Sequence, residues 1–322
     1  MSGKKRPPRR PAQARPVPAK RAEPPAEPRR PFGSALFGQA SSVMPPIGRS
    51  LGRGLLTIVS SPVLVVVALV LVPLAWFGLL AIGFEGSPSR LVDVLALPPI
   101  STYFDLGTAV SIVGFGPAFL VFTGAAILIR SLVYAVLTGV ILEALEDGRV
   151  SSYGVLRGVG AIPTVVVVQV LSFSLIVVGN LIFPILGPGL GFLAFVAALV
   201  AGLFFLGFAP TAAIRQRRGI TETLRRSGRA AMLPGSRQLL FCTLYFFVAL
   251  PVVVGFAPGG SDVTANPTLG TWIFALAVNV LHLGFMAALS YRWIVAEPSV
   301  PDQPVRRRKA ARQPSARPRG RR

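Results

Sequence analysis

The amino-acid sequence predicts an all-α membrane protein: a polytopic bundle of six transmembrane helices with disordered basic tails. Three observations lead to this prediction. The 322-residue chain is 52% hydrophobic and only 14% charged, which is too apolar for an ordinary soluble protein. Its 33 Lys and Arg residues lie mainly in the two ends and in short connections. Six separate apolar stretches are each long enough to cross a bilayer, which takes roughly 20 residues.

The two ends of the chain are predicted to be tails. Residues 1–58 carry 12 basic and 2 acidic residues, and the first part of this segment is rich in proline. Such a composition cannot bury enough apolar surface to offset the entropy of ordering, so disorder is expected. Within the tail, 32–58 is mixed in character and is interpreted as a segment that lies along the membrane surface. Residues 59–295 form the predicted transmembrane domain, and 296–322 form a second disordered basic tail.

The six predicted spans differ in how sharply their ends are marked. The second span lies within a helix predicted to begin at Pro117, because proline favours the first helical turn. The third and fourth spans are joined by PILGPGLG at 184–191, which is expected to form a tight hairpin. In chain order the spans are predicted at about 62–84, within 109–145, and at about 162–183, 189–209, 238–257 and 271–293.

Orientation follows from the distribution of arginine. The connection at 210–237 has seven arginines and one acid, Glu222, whereas the connections at 85–108 and 258–270 carry more acid than base. The positive-inside rule then places this loop and both tails in the cytoplasm. Arginine outnumbers lysine 29 to 4, as in a GC-rich bacterial genome. The predicted location is therefore the bacterial cytoplasmic membrane.

Arg130 is the most informative single residue, because it falls near the middle of a predicted helix from Pro117 to Glu146. A charge at the bilayer centre costs roughly 3 kcal/mol or more. Three interpretations remain open. Arg130 reaches lipid phosphates while 131–145 lies at the interface with Glu143 in water; or it is a structural tie to carbonyls or polar side chains; or it lines a cavity for an anionic head group. An ion pair is not expected, because no carboxylate lies well inside another predicted span.

Other polar groups in the spans are few. They are interpreted as an intramembrane polar cluster that joins helices by hydrogen bonds, and they consist of Gln169, Asn180, Asn279 and His282. In the 210–237 loop, a short amphipathic helix is expected to lie on the inner leaflet with its arginines directed toward anionic lipid. Together with Arg130, these predicted lipid- or anion-binding residues are Arg225, Arg226 and Arg229.

The sequence contains no recognisable catalytic motif. With one cysteine (Cys242) and one histidine (His282), neither a Cys/His metal site nor an internal disulfide can be assembled. No nucleotide-binding loop or suitably placed pair of carboxylates is present. We therefore predict a protein that is not an enzyme, with no catalytic residues, no metal and no cofactor. Nucleic acid is an unlikely partner, because no folded binding module accompanies the basic tails.

Two short motifs carry a family resemblance. After the second span comes ALEDGRVSSYG, a Gly-containing turn followed by a Ser-bearing segment, and after the fourth come Ala209-Pro210, Gly219 and Arg226-Ser227. Over roughly 110–250, this pattern resembles the six-helix, non-catalytic membrane domain associated with glycerophosphoryl diester phosphodiesterases. The resemblance implies an architecture and carries no phosphodiesterase residues onto this chain.

Two functions are predicted. The first is a non-enzymatic scaffold or accessory subunit whose basic regions engage anionic phospholipid head groups, a membrane-protein partner or a second copy of the chain. The alternative is a transporter or lipid-handling protein with a polar cavity near Arg130.

Overall fold

The computed structural model describes residues 43–81, 94–216, 218–254 and 269–300. Contacts divide the chain into two units, 1–39 and 40–322, and every described residue belongs to the second. The C-terminal tail beyond residue 300 and the first 42 residues of the N-terminal tail lie outside the described residues. The described residues contain no β-strand, so the all-helical prediction is confirmed for this part of the chain.

The described residues form ten α-helices and one short 3₁₀ turn, joined by short non-helical connections. In chain order the helices are α1 Ile47–Ser60, α2 Pro62–Ala81, α3 Ile100–Val113, α4 Pro117–Asp147, α5 Ser152–Val159, α6 Ile162–Leu206, α7 Ala209–Gln216, α8 Ile220–Ala231, α9 Gln238–Val254 and α10 Leu269–Ala296, with the 3₁₀ turn at Glu297–Ser299.

One end of the bundle, here named the basic end, is defined by a chain of ion pairs. Glu146 at the end of α4 contacts both Arg157 of α5, at 2.8 Å, and Arg215 of α7. Arg215 Nε also donates to Glu297, immediately after α10, at 2.6 Å. Helices α4, α7 and α10 therefore all end at the basic end, and α4 and α10 begin at the opposite end.

Helix α6 is a helical hairpin whose turn is Gly187. The backbone there has φ +76°, a left-handed region that favours glycine. A side chain added at Gly202 would lie 3.1 Å from Leu175, and one at Gly179 would lie 3.0 Å from Phe195. Residues 175 and 202 would be about 40 Å apart in one straight helix, so the two halves run antiparallel. The predicted hairpin between the third and fourth spans is present.

The chain enters the bundle along α10. Helix α1 packs against α10 through glycine: a Cβ on Gly54 would lie 2.7 Å from the backbone nitrogen of Ala288. Residues 47–58, part of the segment predicted to lie along the membrane surface, form a helix whose small-residue face is buried on α10, and their position relative to a membrane stays a prediction. The chain then bends by 83° into Pro62–Gly78. Trp76 of α2 meets Trp272 near the start of α10, with ring centroids 5.4 Å apart, so α2 approaches the opposite end.

Residues 94–113 enter the bundle without crossing it. Helix α3 is only 14 residues long, and residues 114–116 connect it to the start of α4 at the opposite end. The preceding residues 94–99 are non-helical and lie inside the bundle, where Leu95–Ile100 are all buried. We name the stretch 94–113 the re-entrant segment. The sequence predicted this stretch as an external connection followed by the beginning of the second span.

Four described helical segments are long and apolar enough to cross a membrane: Pro117–Asp147, Ile162–Ile182, Pro184–Gln216 and Trp272–Ser299. A fifth is reached if the bent pair α1 and α2 counts as one span. The predicted fifth span corresponds to α9, whose apolar part, Gln238–Val248, is shorter than this requirement. The structure therefore has four to five candidate spans.

Candidate functional site

A cluster of polar side chains surrounds the re-entrant segment in the interior of the bundle. We name it the polar cluster, and it consists of Thr102, Asp105, Arg130, Gln169, Tyr245, Asn279 and His282. It brings together side chains from α3, α4, α6, α9 and α10, most of which are far apart in sequence. Its partners on the re-entrant segment are the backbone groups of residues 94–97.

Two side chains accept hydrogen bonds from backbone N–H groups of the non-helical residues 94–99. Asn279 Oδ1 accepts from the N–H of Leu95 at 2.9 Å. The Tyr245 hydroxyl accepts from the N–H of Leu97 at 2.7 Å and lies 3.1 Å from His282 Nδ1. Asn279, Tyr245 and His282 are each at most 1% exposed. An unpaired backbone group at this depth would cost several kcal/mol, so these contacts allow irregular backbone inside the bundle.

Arg130 is held by the same segment. Its Nε donates to Asp105 Oδ2 at 3.0 Å and its Nη2 to Oδ1 at 2.5 Å, a two-point ion pair. Its Nη1 donates to the carbonyl oxygen of Val94. Arg130 lies about 20 Å along α4 from Pro117, so the pair sits well inside the bundle. Of the three interpretations of Arg130, these contacts agree with the one in which it is a structural tie to a carbonyl group and a polar side chain.

The expectation that Arg130 has no carboxylate partner is wrong. Asp105 was placed in an external connection because the sequence around it is not apolar enough for a span. The re-entrant segment carries it inward, where the side chains of Asp105 and Arg130 are 16% and 17% exposed. The expectation of a water-exposed Glu143 is also wrong. Glu143 is 1% exposed and accepts hydrogen bonds from the N–H and hydroxyl of Ser151 and from the N–H of Gly154.

Gln169 completes the contacts at the start of α3. The Thr102 hydroxyl donates to Gln169 Oε1 at 2.5 Å, and both residues are buried. The other amide atom of Gln169, Nε2, has no hydrogen-bond partner among the described residues, and the same holds for the buried hydroxyl of Ser101. The first turn of α3 is therefore the least completely satisfied part of the polar cluster.

Asn180 does not join the polar cluster. It is exposed, and its Nδ2 donates to the carbonyl of Ile176 in its own helix at 3.0 Å. The sequence grouped Asn180 with Gln169 because eleven residues bring two side chains to one helical face. They are nevertheless about 16 Å apart along the helix, and only Gln169 reaches the depth of the re-entrant segment.

The arginines of α8 are arranged differently from the prediction. Arg226 is only 4% exposed, on a helix face that is buried together with Thr223 and Ser227. The Ser227 hydroxyl donates to the carbonyl of Phe205 at 2.6 Å, which fixes this face on the end of α6. The prediction that Arg226 is directed toward lipid is therefore wrong. The packed face of α8 combines small polar side chains with Ala230 and Ala231, which are also buried.

Arg225 and Arg229 lie on either side of Glu222. Each is 3.6 Å from one of its carboxylate oxygens, and the Arg225 side chain is 56% exposed whereas that of Arg229 is 15% exposed. Of the three arginines of α8, Arg225 alone is thus largely exposed.

Sequence reasoning missed four residues that organise the interior: Thr102, Asp105, Tyr245 and Arg292. Arg292 is fully buried near the end of α10 and makes no contact with a carboxylate among the described residues. Its donors go instead to the carbonyls of Pro45 and Ser236 and to Gln238 Oε1, so it ties the start of α1 and α9 to α10. An arginine at the end of an apolar helix is typical of a topology signal, which conceals this role.

Comparison with known proteins identifies no relative: the chain matches no family model, no curated protein and no solved structure. The resemblance to the phosphodiesterase-associated membrane domain therefore stays a prediction. The polar cluster and the basic end are the two features of this chain that bear on its function.

Proposed function

We propose that this chain is a six-span membrane protein that moves a phospholipid or a small polar solute, with the polar cluster as its functional centre. One observation carries the proposal: non-helical backbone lies inside the bundle and is held there by side chains from α9 and α10. Irregular backbone at membrane depth is tolerated where it is packed in protein or lines a path, and transporters build their sites from such broken elements.

Energetics support a functional reading of the polar cluster. A buried ion pair is often no more stabilising than apolar residues of the same shape, so Arg130 and Asp105 are weakly explained by stability alone. Ionisable residues inside a membrane domain are costly and usually mark a site. Ser101 lies one helical turn before Asp105 on α3, and Gln169 of α6 contacts Thr102; the Ser101 hydroxyl and Gln169 Nε2 are buried without a hydrogen-bond partner among the described residues.

We further propose six spans, with both tails cytoplasmic in a bacterial inner membrane. The start of α9 contacts Arg292 at the basic end, and α10 begins at the opposite end, so the chain must cross between them. The 17 residues of α9 rise about 25 Å, close to the thickness of the hydrocarbon core. The arginine excess at the basic end supports its placement in the cytoplasm.

The transport proposal is tested with the full chain in proteoliposomes. One assay follows the transbilayer movement of a fluorescent phosphatidylglycerol and a second follows the release of a small trapped solute. Asn279→Leu removes the acceptor for the Leu95 N–H, and we expect it to lower the active rate at least tenfold. Asn180→Leu is the matched control, since it makes the same change at an exposed site outside the cluster.

Two outcomes would contradict transport: no movement in either assay above protein-free vesicles, or equal rates for Asn279→Leu and the wild type. Melting temperatures of the three proteins in detergent separate loss of fold from loss of function. Placement is tested separately, by labelling single cysteines introduced in each tail of a Cys242→Ser background in intact cells. Labelling of either tail from the outside would refute the proposed orientation.

The second candidate function is the scaffold or accessory subunit that engages anionic lipid or a protein partner and has no enzymatic activity. The exposed side chain of Arg225 and the positive formal charge of +21 favour it. Each basic residue near an anionic leaflet contributes about 1 kcal/mol, and salt weakens this contribution. A partner that co-purifies with the full chain, and that is lost both at high salt and in the Arg225→Gln variant, would support this function over transport.

A further inference from the structure

We infer that a cavity at the basic end binds the phosphate head group of an anionic lipid. The cavity has a volume of about 410 Å³ and lies between α5, the start of α6 and the end of α7. Its size is within the usual range of small-molecule sites, which is roughly 300–1,000 Å³. It is separate from the polar cluster, and none of the residues predicted to bind anions lines it.

Two guanidinium groups give the cavity its preference for an anion. Arg157 and Arg218 both line it, the first from α5 and the second from the connection after α7. Guanidinium presents several N–H donors in a planar fork that matches the oxygens of a phosphate. Arg157 Nη1 donates to Glu146 at 2.8 Å, and the same carboxylate also binds Arg215. One negative charge is therefore shared between two guanidinium groups, which leaves net positive charge beside the cavity.

The remaining walls suit the part of a lipid next to its phosphate. The apolar side chains of Leu156, Ala213 and Ile214 line the cavity, and Thr164 adds a hydroxyl group. Thr164 belongs to the first turn of α6, and no side chain caps this helix end. The partial positive charge of a helix N-terminus adds to the attraction exerted by the two arginines.

The exposed face of α5 favours a lipid over a soluble phosphate. Leu156 is 68% exposed, and Val155 and Val159 beside it are 38% and 44% exposed. A short helix with exposed apolar side chains and a basic residue is typical of the membrane interface. An acyl chain would leave the cavity along this face, whereas a soluble anion would gain nothing from it. This step rests on the proposed membrane placement of the basic end.

The test uses the full chain in detergent micelles and native mass spectrometry. Short-chain phosphatidylglycerol is titrated against the wild type, Arg218→Gln, the double variant Arg157→Gln/Arg218→Gln, and the control Arg53→Gln, which changes an exposed arginine of α1 that does not line the cavity. We expect the double variant to bind at least tenfold more weakly, Arg218→Gln several-fold more weakly, and the control like the wild type. Phosphatidylcholine of the same chain length should bind the wild type weakly.

Several results would overturn the inference. Equal binding of phosphatidylglycerol by all four proteins would remove the arginines from the site, and so would an equal loss in Arg53→Gln. Displacement of the lipid by millimolar inorganic phosphate alone would identify a soluble phosphate as the ligand. Arg218→Gln changes an exposed connection, so its binding remains interpretable if the double variant is unstable. Transport in proteoliposomes and the placement of the tails are separate measurements, so failure of the proposed function is distinguished from failure of lipid binding at this cavity.

Discussion

The pairing of Arg130 with Asp105 leads to a quantitative prediction. Removal of one partner, in Arg130→Met or Asp105→Leu, leaves the other charge inside the bundle. Breaking a fully buried pair costs about 3–5 kcal/mol, and we reduce this to about 2–3 kcal/mol because these side chains are 16–17% exposed. The double variant removes both charges together, so no buried charge is left unpaired, and the loss of the donor to the Val94 carbonyl should keep its cost at about 1–2 kcal/mol.

The measurement is a double-mutant cycle on the free energy of unfolding, with reversible unfolding by SDS in mixed micelles. The expected coupling energy is about 3 kcal/mol, near the top of the range for residues in contact. A parallel cycle on Arg225 and Glu222, 3.6 Å apart on an exposed surface, should give less than about 0.5 kcal/mol. If the two single costs at Arg130 and Asp105 simply add, the pair does not exist in the folded protein and the re-entrant segment is wrongly placed.

Three further predictions concern packing and accessibility. Gly158→Ala should lower the free energy of unfolding by about 1–3 kcal/mol, because the added Cβ would lie 2.5 Å from the Ala135 carbonyl oxygen. The control Gly124→Ala, in open space on α4, should not lower the melting temperature. Arg292→Met should lower the free energy of unfolding by about 3 kcal/mol or more, since the carbonyls of Pro45 and Ser236 lose their donor. A melting temperature equal to that of the wild type would contradict this prediction. The thiol of Cys242, fully buried, should resist a membrane-permeant maleimide until SDS unfolds the protein, and rapid labelling of the native protein would show that α9 is packed differently.

Several local features of the fold are predictable because their cause lies in neighbouring residues. Helix α4 begins at Pro117 and ends before Gly148, whose φ is +68°. Ser151 caps α5 by accepting from the N–H of Tyr153 at 3.1 Å, as its position before a short helix suggests. The hairpin at Gly187 likewise follows from a run of proline and glycine between two apolar stretches.

Other features of the fold depend on residues that are distant in sequence. Hydropathy gives the cost of removing each residue from water, and on that measure the residues around Asp105 belong outside the membrane. The cost is offset here by Arg130, Asn279 and Tyr245, which are 25 to 184 residues from the groups that they bind. These partners cannot be predicted from the residues next to Asp105 in the sequence.

The sequence by itself determined the class of the protein, because an apolar run of some twenty residues leaves water whatever its neighbours are. It also determined which end carries the arginines. The tertiary structure alone decided which polar residues lie inside, since a buried hydrogen-bonding group is stable only when a partner reaches it. Asp105 lies inside the bundle and Asn180 lies outside the polar cluster for this reason, and Arg226 is buried because it belongs to the face of α8 that packs on α6 through small side chains.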